Sequence, residues 1–153
     1  TPAVPENEIH GLAEDTEGTL WINGQATYLT TLHAGEFREV TTVEGKPVRG
    51  VLRGPSPRGG MWVSLEEGPH LTRWEHGTPH ERWPLEVGIN VAVTETADGA
   101  LWVADPASFR RRVDGSWQDF EMPRPTNAIT TTCLFAQAAP GTWFFLGAPP
   151  HPS

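Results

Sequence analysis

Apolar residues in this chain come in short runs that glycine or proline interrupts every few positions. Nowhere do they hold the 3.6-residue spacing of a capped helix. With 16 glycines and 15 prolines in 153 residues, the pattern predicts short strands joined by turns. Four runs have an apolar start: Ile9 to Glu14, Val48 to Arg53, Ile89 to Thr94 and Ile129 to Leu134. Most of them are rich in β-branched residues, which suit a pleated surface. Each run is followed by a tryptophan, and Trp21, Trp62, Trp102 and Trp143 lie 41, 40 and 41 residues apart. A glycine precedes each indole by three residues in the first three copies and by two in the fourth, and an apolar residue follows every time. A near-constant period with matching flanks is the mark of a repeat architecture.

Between the tryptophans a second landmark recurs. Leu29, Leu71 and Phe109 each lie six residues before a glycine, Gly35, Gly77 and Gly115. Asp114-Gly115 is a strong hairpin signal, and His76-Gly77 and Ala34-Gly35 are weaker forms of it, because glycine accepts the positive φ of such turns. One unit therefore reads strand A, turn, strand B with the tryptophan, loop, strand C, tight turn, strand D. Four strands in about 40 residues is the build of a β-propeller blade. A β-sandwich would account for the strands but not for the period. The expected fold is all-β: a single incomplete β-propeller over 1–153, about three and a half four-stranded blades in an open arc. The blades are expected at about 9–47, 48–88, 89–128 and, in part, 129–147. Stacked blades bury an indole in each layer, and one buried indole removes roughly 200 Å² from water, about 5 kcal/mol gross. Trp74, Trp83 and Trp117 fall on outer strands and are expected to be less regular, some of them partly exposed.

Charge narrows the partners. The net charge is −8, the isoelectric point about 5.1, and Lys46 is the sole lysine. An acidic, lysine-poor chain is a poor binder of nucleic acid or anionic membrane. Arg110-Arg111-Arg112 falls on a strand, where neighbouring side chains alternate faces, so it is not one basic patch. Cys133 is the single cysteine, which excludes an internal disulfide or a zinc cluster of thiolates. No run approaches the 18 apolar residues of a membrane span. The ten residues after Trp143 are too few for strands C and D, and the chain opens on Thr1. It is therefore expected to be a piece of a longer protein whose remaining blades are its partners. Two copies together would carry seven blades' worth of hairpins, enough for a closed dimer.

His10, Arg49, Asn90 and Thr130 each follow the apolar start of a strand A. That strand is innermost in a propeller, so these residues are expected at the mouth of the central channel, where polar groups bind a ligand. The partner would be an unknown small molecule or a protein. His76 and His80 lie four apart across an expected turn with no third ligand in view, so neither a metal nor a cofactor is expected. The loop Gly54 to Gly59 reads as an extension of the second A–B turn. There is no Gly-rich phosphate loop and no kinase motif, so no catalytic residue is assigned.

The stretch Ile9 to Ile22, with Glu14-Asp15, Gly18 and Leu20-Trp21-Ile22, resembles the two-component regulator propeller repeat. Asp98 to Val103 with Arg112 to Phe120 is similar to the same blade. The places that commonly hold Gly-Thr in that family here hold Asn23-Gly24, Ser64-Leu65, Ala104-Asp105 and Phe145-Leu146. The resemblance implies the periplasmic or otherwise extracytoplasmic sensor half of a membrane-bound histidine kinase, hybrid kinase or diguanylate cyclase, non-catalytic in itself, with a ligand that in relatives is often a carbohydrate. Asp98-Gly99-Ala100-Leu101-Trp102 also resembles repeats of propeller lyases of the virginiamycin B lyase type. Their chemistry needs a histidine and carboxylates gathered near the channel, and His10 with Glu8 is the one suggestive pair. A plain protein-interaction scaffold is the further alternative, and fold alone separates none of these.

Overall fold

The computed structural model describes residues 9–24, 28–85, 91–104 and 109–120, together with the backbone of 134–139 and 142–146. Its regular elements are all strands. Strands β1 (Ile9–Glu14), β2 (Leu20–Gly24), β3 (Leu29–His33) and β4 (Glu36–Glu39) form one antiparallel sheet in the order of the sequence. A second such sheet holds β5 (Gly50–Pro55), β6 (Met61–Leu65), β7 (His70–Glu75) and β8 (Thr78–Pro84). A third holds β9 (Ala92–Glu95), β10 (Leu101–Ala104), β11 (Phe109–Val113) and β12 (Ser116–Phe120). Strands β13 (Leu134–Ala139) and β14 (Thr142–Leu146) pair as a hairpin. The chain divides into two compact units, 1–86 and 87–153.

Two turn types recur. In the first, between the first two strands of each four-stranded sheet, Asp15, Ser56 and Thr96 play one role. The backbone N–H of each donates to the carbonyl four residues on (Thr19, Gly60, Ala100), and its own carbonyl accepts from Gly18, Gly59 or Gly99. Oxygen-bearing side chains suit this place because they also hydrogen-bond inside the turn, Asp15 and Ser56 as acceptors and Thr96 as a donor to Asp98 and to the Ala100 carbonyl. Asp15 Oδ1 accepts from the backbone of Glu17 and Thr19, each at 3.0 Å, and Ser56 Oγ accepts from Arg58. The second type is the tight turn expected at the x-Gly pairs. Ala34, His76 and Asp114 have φ of 50°, 50° and 49°, and Gly35, Gly77 and Gly115 have φ of 82°, 77° and 81°. Positive φ at both central residues is the type I′ turn, whose twist matches that of the flanking strands.

The core of the first unit forms between its two sheets. Strand pairing puts Ala13, Trp21 and Leu29 on one face of the first sheet, because directly paired residues share a face and successive residues alternate. Leu52, Met61, Val63 and Trp74 share one face of the second sheet. These residues, with Val40, Val48 and Leu65, make one apolar cluster in which Trp21 is 1% exposed and Met61 and Val63 are fully buried. The expected wedge of an indole between successive sheets is thus present at Trp21. Of the outer-strand indoles, Trp74 is buried in this same layer, because its register opposite Met61 aims it at the neighbouring sheet rather than at solvent, while Trp83 and Trp117 are half-buried. In the second unit Trp102 is only half-buried and stacks on Phe109 and Phe120, with ring centroids 5.0 and 5.7 Å away. The arginine run behaves as strand alternation requires: Arg111 pairs with Asp98, Arg110 with Asp119, and Arg112 lies over Trp117.

Two details differ from the sequence reading, and a third is described only in part. The second A–B turn is no extension. Ser56 to Gly60 closes like its counterparts, and the surplus residue is absorbed as a bulge between Leu52 and Gly54. The strand paired with the fourth tryptophan strand is described from Leu134 to Ala139; the expected run from Ile129 lies, up to residue 133, outside the described residues. Trp143 pairs with Gln137, six residues earlier, whereas Trp21 pairs with Ala13, eight earlier. Its shorter connection, already visible as a glycine two residues before the indole, draws the partner strand closer along the chain. Finally, Arg49 is not the counterpart of His10. Ile9 pairs with Gly24 and Gly50 with Leu65, each the third residue after its tryptophan. Arg49 therefore lies one place before the position of Ile9, while His10 is the extra residue of a bulge between Ile9 and Gly11.

Candidate functional site

Polar side chains gather at both ends of the sheets in the first unit. One end carries the link after β2, the link between β4 and β5, and the link after β6. There Arg49 forms an antiparallel bridge with Tyr28, and its carbonyl accepts from the Glu66 backbone at 3.2 Å. Both contacts fix the backbone, so the side chains are placed rather than free to roam. Arg49 Nε lies 3.2 Å from Glu66 Oε2, and its guanidinium stands 5.2 Å from the centre of the Tyr28 ring. Stacking on a π face and pairing with a carboxylate use different parts of the planar guanidinium, which is why arginine can do both. The group is open to solvent, with the Arg49 side chain 47% and that of Glu66 39% exposed.

Of the four residues assigned to the channel mouth, His10 is exposed at the start of β1 and Arg49 lies at the end just described. Asn90 and Thr130 lie outside the described residues. Tyr28 and Glu66 were not singled out by the sequence. Each sits in the connection that follows a tryptophan strand, and that shared position is the signal that could have found them.

The opposite end carries the A–B and C–D turns. His76, held in the positive-φ turn after β7, places Nε2 3.4 Å from Glu17 Oε2 in the first A–B turn. Glu17, Glu75 and His76 bring ligand atoms within 4.8 Å of one another, and His80 Nε2 lies 3.8 Å from Glu75 Oε2. The histidine pair thus meets carboxylates that the sequence could not supply, because Glu17 belongs to the preceding repeat. Glu75 is already engaged. Arg73, nearly buried, donates from Nη1 to Glu75 Oε2 and to the Gly59 carbonyl, each at 2.9 Å. Arg73 Nε also reaches Glu81 at 3.3 Å, and Arg58 makes two further hydrogen bonds to Glu81. Burial alone would raise the Glu81 carboxyl, but the hydrogen bonds and charges of Arg58 and Arg73 outweigh it and hold the group below its ordinary range. A divalent cation at Glu75 would compete with a guanidinium for the same oxygen. The arrangement therefore reads first as a network that ties two turns and two sheets together.

No protein-family model and no curated protein matches the chain in sequence. Solved structures do. Virginiamycin B lyase from Staphylococcus aureus is similar over 96% of this chain and 51% of its own, at 17% identity and a TM-score of 0.65. A catalytically inactive form of that lyase with quinupristin is similar over 87% of this chain and 47% of its own, at 18% identity and a TM-score of 0.58. The extracellular domain of a candidate one-component system from B. thetaiotaomicron is similar over 95% of this chain and 20% of its own, at 11% identity and a TM-score of 0.59.

The chain has the fold of a β-propeller segment. It spans about half the length of the lyases it resembles (51% and 47%) and a fifth (20%) of the one-component protein. At these identities the likeness establishes the fold, which both an enzyme and an extracellular domain share. Among the described residues no helix is long and apolar enough to cross a membrane.

Proposed function

We propose that this chain is a ligand- or partner-sensing propeller segment from the extracytoplasmic region of a signalling receptor, without catalysis of its own. The observation that carries the reading is the similarity to the extracellular domain of a one-component system over 95% of the chain. It agrees with the repeat resemblance of Ile9 to Ile22. The Tyr28, Arg49 and Glu66 group supports it: an aromatic face, a guanidinium and a carboxylate, all partly exposed, are the means by which a surface holds a polar ligand such as a carbohydrate. His10, Asn90 and Thr130 are proposed to extend the same face, and the remaining blades of the parent protein to complete it.

The second reading is a lyase-like enzyme, favoured by the similarity to virginiamycin B lyase. One pair of experiments separates the two. The protein is titrated calorimetrically with a panel of oligosaccharides and, separately, incubated with quinupristin and followed by chromatography. The sensing reading expects saturable binding that Arg49→Ala weakens at least about tenfold with quinupristin intact, tenfold being 1.4 kcal/mol. Conversion of quinupristin would replace it with the enzyme reading.

A further inference from the structure

At the turn-bearing end of the first unit, some side chains meet that the fold does not ask for. The tight turn after β7 is made by His76-Gly77, and the same turn is made elsewhere by Ala34-Gly35 and Asp114-Gly115, with φ of 50°, 50° and 49° at the first residue. An imidazole at this place is therefore no requirement of the turn. The same holds for its neighbours. Counted from the residue that opens each A–B turn, Glu17 corresponds to Arg58 and Asp98; counted back from each tight turn, Glu75 corresponds to His33 and Val113. No repeated position demands any of the three.

Yet Glu17, Glu75 and His76 bring one ligand atom each within 4.8 Å of one another. Consecutive residues of a strand point to opposite faces. His76 has left the strand at positive φ, so it and Glu75 can serve one point. Glu17 reaches that point from the first A–B turn, its Oε2 3.4 Å from His76 Nε2. A zinc ion bound at about 2.0–2.2 Å by tetrahedral donors sets them roughly 3.3–3.6 Å apart, so this edge already has the length required. Glu17 and His76 are exposed, and rotation of their side chains closes the other edges. Glu75 is held in place: Arg73 Nη1 donates to its Oε2, while Oε1 accepts no hydrogen bond among the described residues. The guanidinium occupies one oxygen and leaves the other, and ligating carboxylates are commonly oriented by such a hydrogen bond. His80 Nε2 lies 3.8 Å from Glu75 Oε2, so a second imidazole borders the cluster.

We propose that Glu17, Glu75 and His76 bind a zinc-class divalent cation, with water in the remaining position. The mixed donors select the class. Imidazole with carboxylate suits zinc and its neighbours, whereas magnesium and calcium favour all-oxygen shells of about six or more. Glu17 belongs to the first sheet, and Glu75 and His76 to the second. The ion therefore clips the two sheets together and stabilises the first unit as its concentration rises. This input is separate from the Tyr28, Arg49 and Glu66 group at the opposite end.

The test is calorimetric titration of the chelator-treated 153-residue chain with zinc chloride, beside thermal denaturation with and without zinc. The expected result is saturable one-site binding and a midpoint temperature that zinc raises, with magnesium chloride giving neither at the same concentration. His76→Ala and Glu17→Gln should each lower the zinc affinity at least about tenfold, the lower end even for groups that only support a ligand. Alanine at position 76 copies the turn that Ala34 makes, so the fold is retained, and circular dichroism checks it; Glu17→Gln alters no hydrogen bond of the turn backbone. His70→Ala, at the other end of β7 and paired with Arg82, should leave zinc binding unchanged. Absence of saturable binding overturns the proposal. So does zinc binding that survives His76→Ala and Glu17→Gln or falls equally in His70→Ala, and so does magnesium bound as tightly as zinc.

Discussion

Asp15 Oδ2 accepts the indole N–H of Trp21 at 2.8 Å, and both residues are buried. The same carboxylate closes the A–B turn through its other oxygen. One side chain therefore fixes the turn and the packing residue together, and the spacing of Asp15 to Trp21 in the repeat acquires a physical reason. Asp15→Ala strands a buried indole donor and two turn N–H groups. The expected loss is about 2–3 kcal/mol, the range for buried hydrogen bonds to a charged group, read from urea denaturation at neutral pH. A loss below the error of that measurement would remove the carboxylate from the account.

Trp21 is the wedge of the first unit. Trp21→Ala should destabilise by about 3–5 kcal/mol, the transfer loss plus an unfilled cavity between two sheets. Trp83, which is only half-buried, should cost distinctly less on the same substitution. Equal losses at the two positions would contradict the layered packing.

Gly60 follows the second A–B turn with φ of +76°, and a Cβ there would lie 1.9 Å from the Trp74 carbonyl oxygen. Neither strain nor space admits a side chain. Gly60→Ala should cost about 2 kcal/mol or more, whereas Gly45→Ala, at positive φ but with nothing within 4 Å, should cost only the backbone part. Thermal denaturation of the two variants side by side checks the difference.

Glu81 gives the fold an acid sensitivity. Its folded carboxyl titrates below the ordinary range because Arg58 and Arg73 outweigh its burial. A group depressed in this way contributes stability above its unfolded value, about 4.3 for glutamate, and loses it as the pH falls through the folded value. The midpoint temperature should fall between about pH 5 and pH 3 in the wild type and fall less steeply in Glu81→Gln. Parallel pH profiles would show that the network carries no net proton linkage.

The repeat, the strand order, the three I′ turns and the wedge at Trp21 were legible in the sequence because each rests on local chemistry. Glycine at positive φ, alternation along strands and an apolar flank around tryptophan are short-range signals. The polar sites were less legible. Asn90 and Thr130 lie outside the described residues. His10 and Arg49 each follow an apolar residue but lie 11 and 13 residues before their tryptophans, so an apolar start alone does not fix the register. Glu17 with His76, and Arg49 with Tyr28 and Glu66, join different repeats or different links, and one-dimensional spacing does not encode which turn comes to rest beside which.

By itself the sequence determined that this chain builds repeated antiparallel sheets of four short strands, each with one indole at a fixed place. Turn chemistry and side-chain alternation act within a few residues and need no knowledge of the rest. Only the tertiary structure decided which faces those sheets present. It buried Trp74 beside Trp21, gave Asp15 to an indole, tied Arg73 between two glutamates and set Glu17 beside His76. Register fixes these outcomes across strands far apart in sequence, and a single bulged residue is enough to change them.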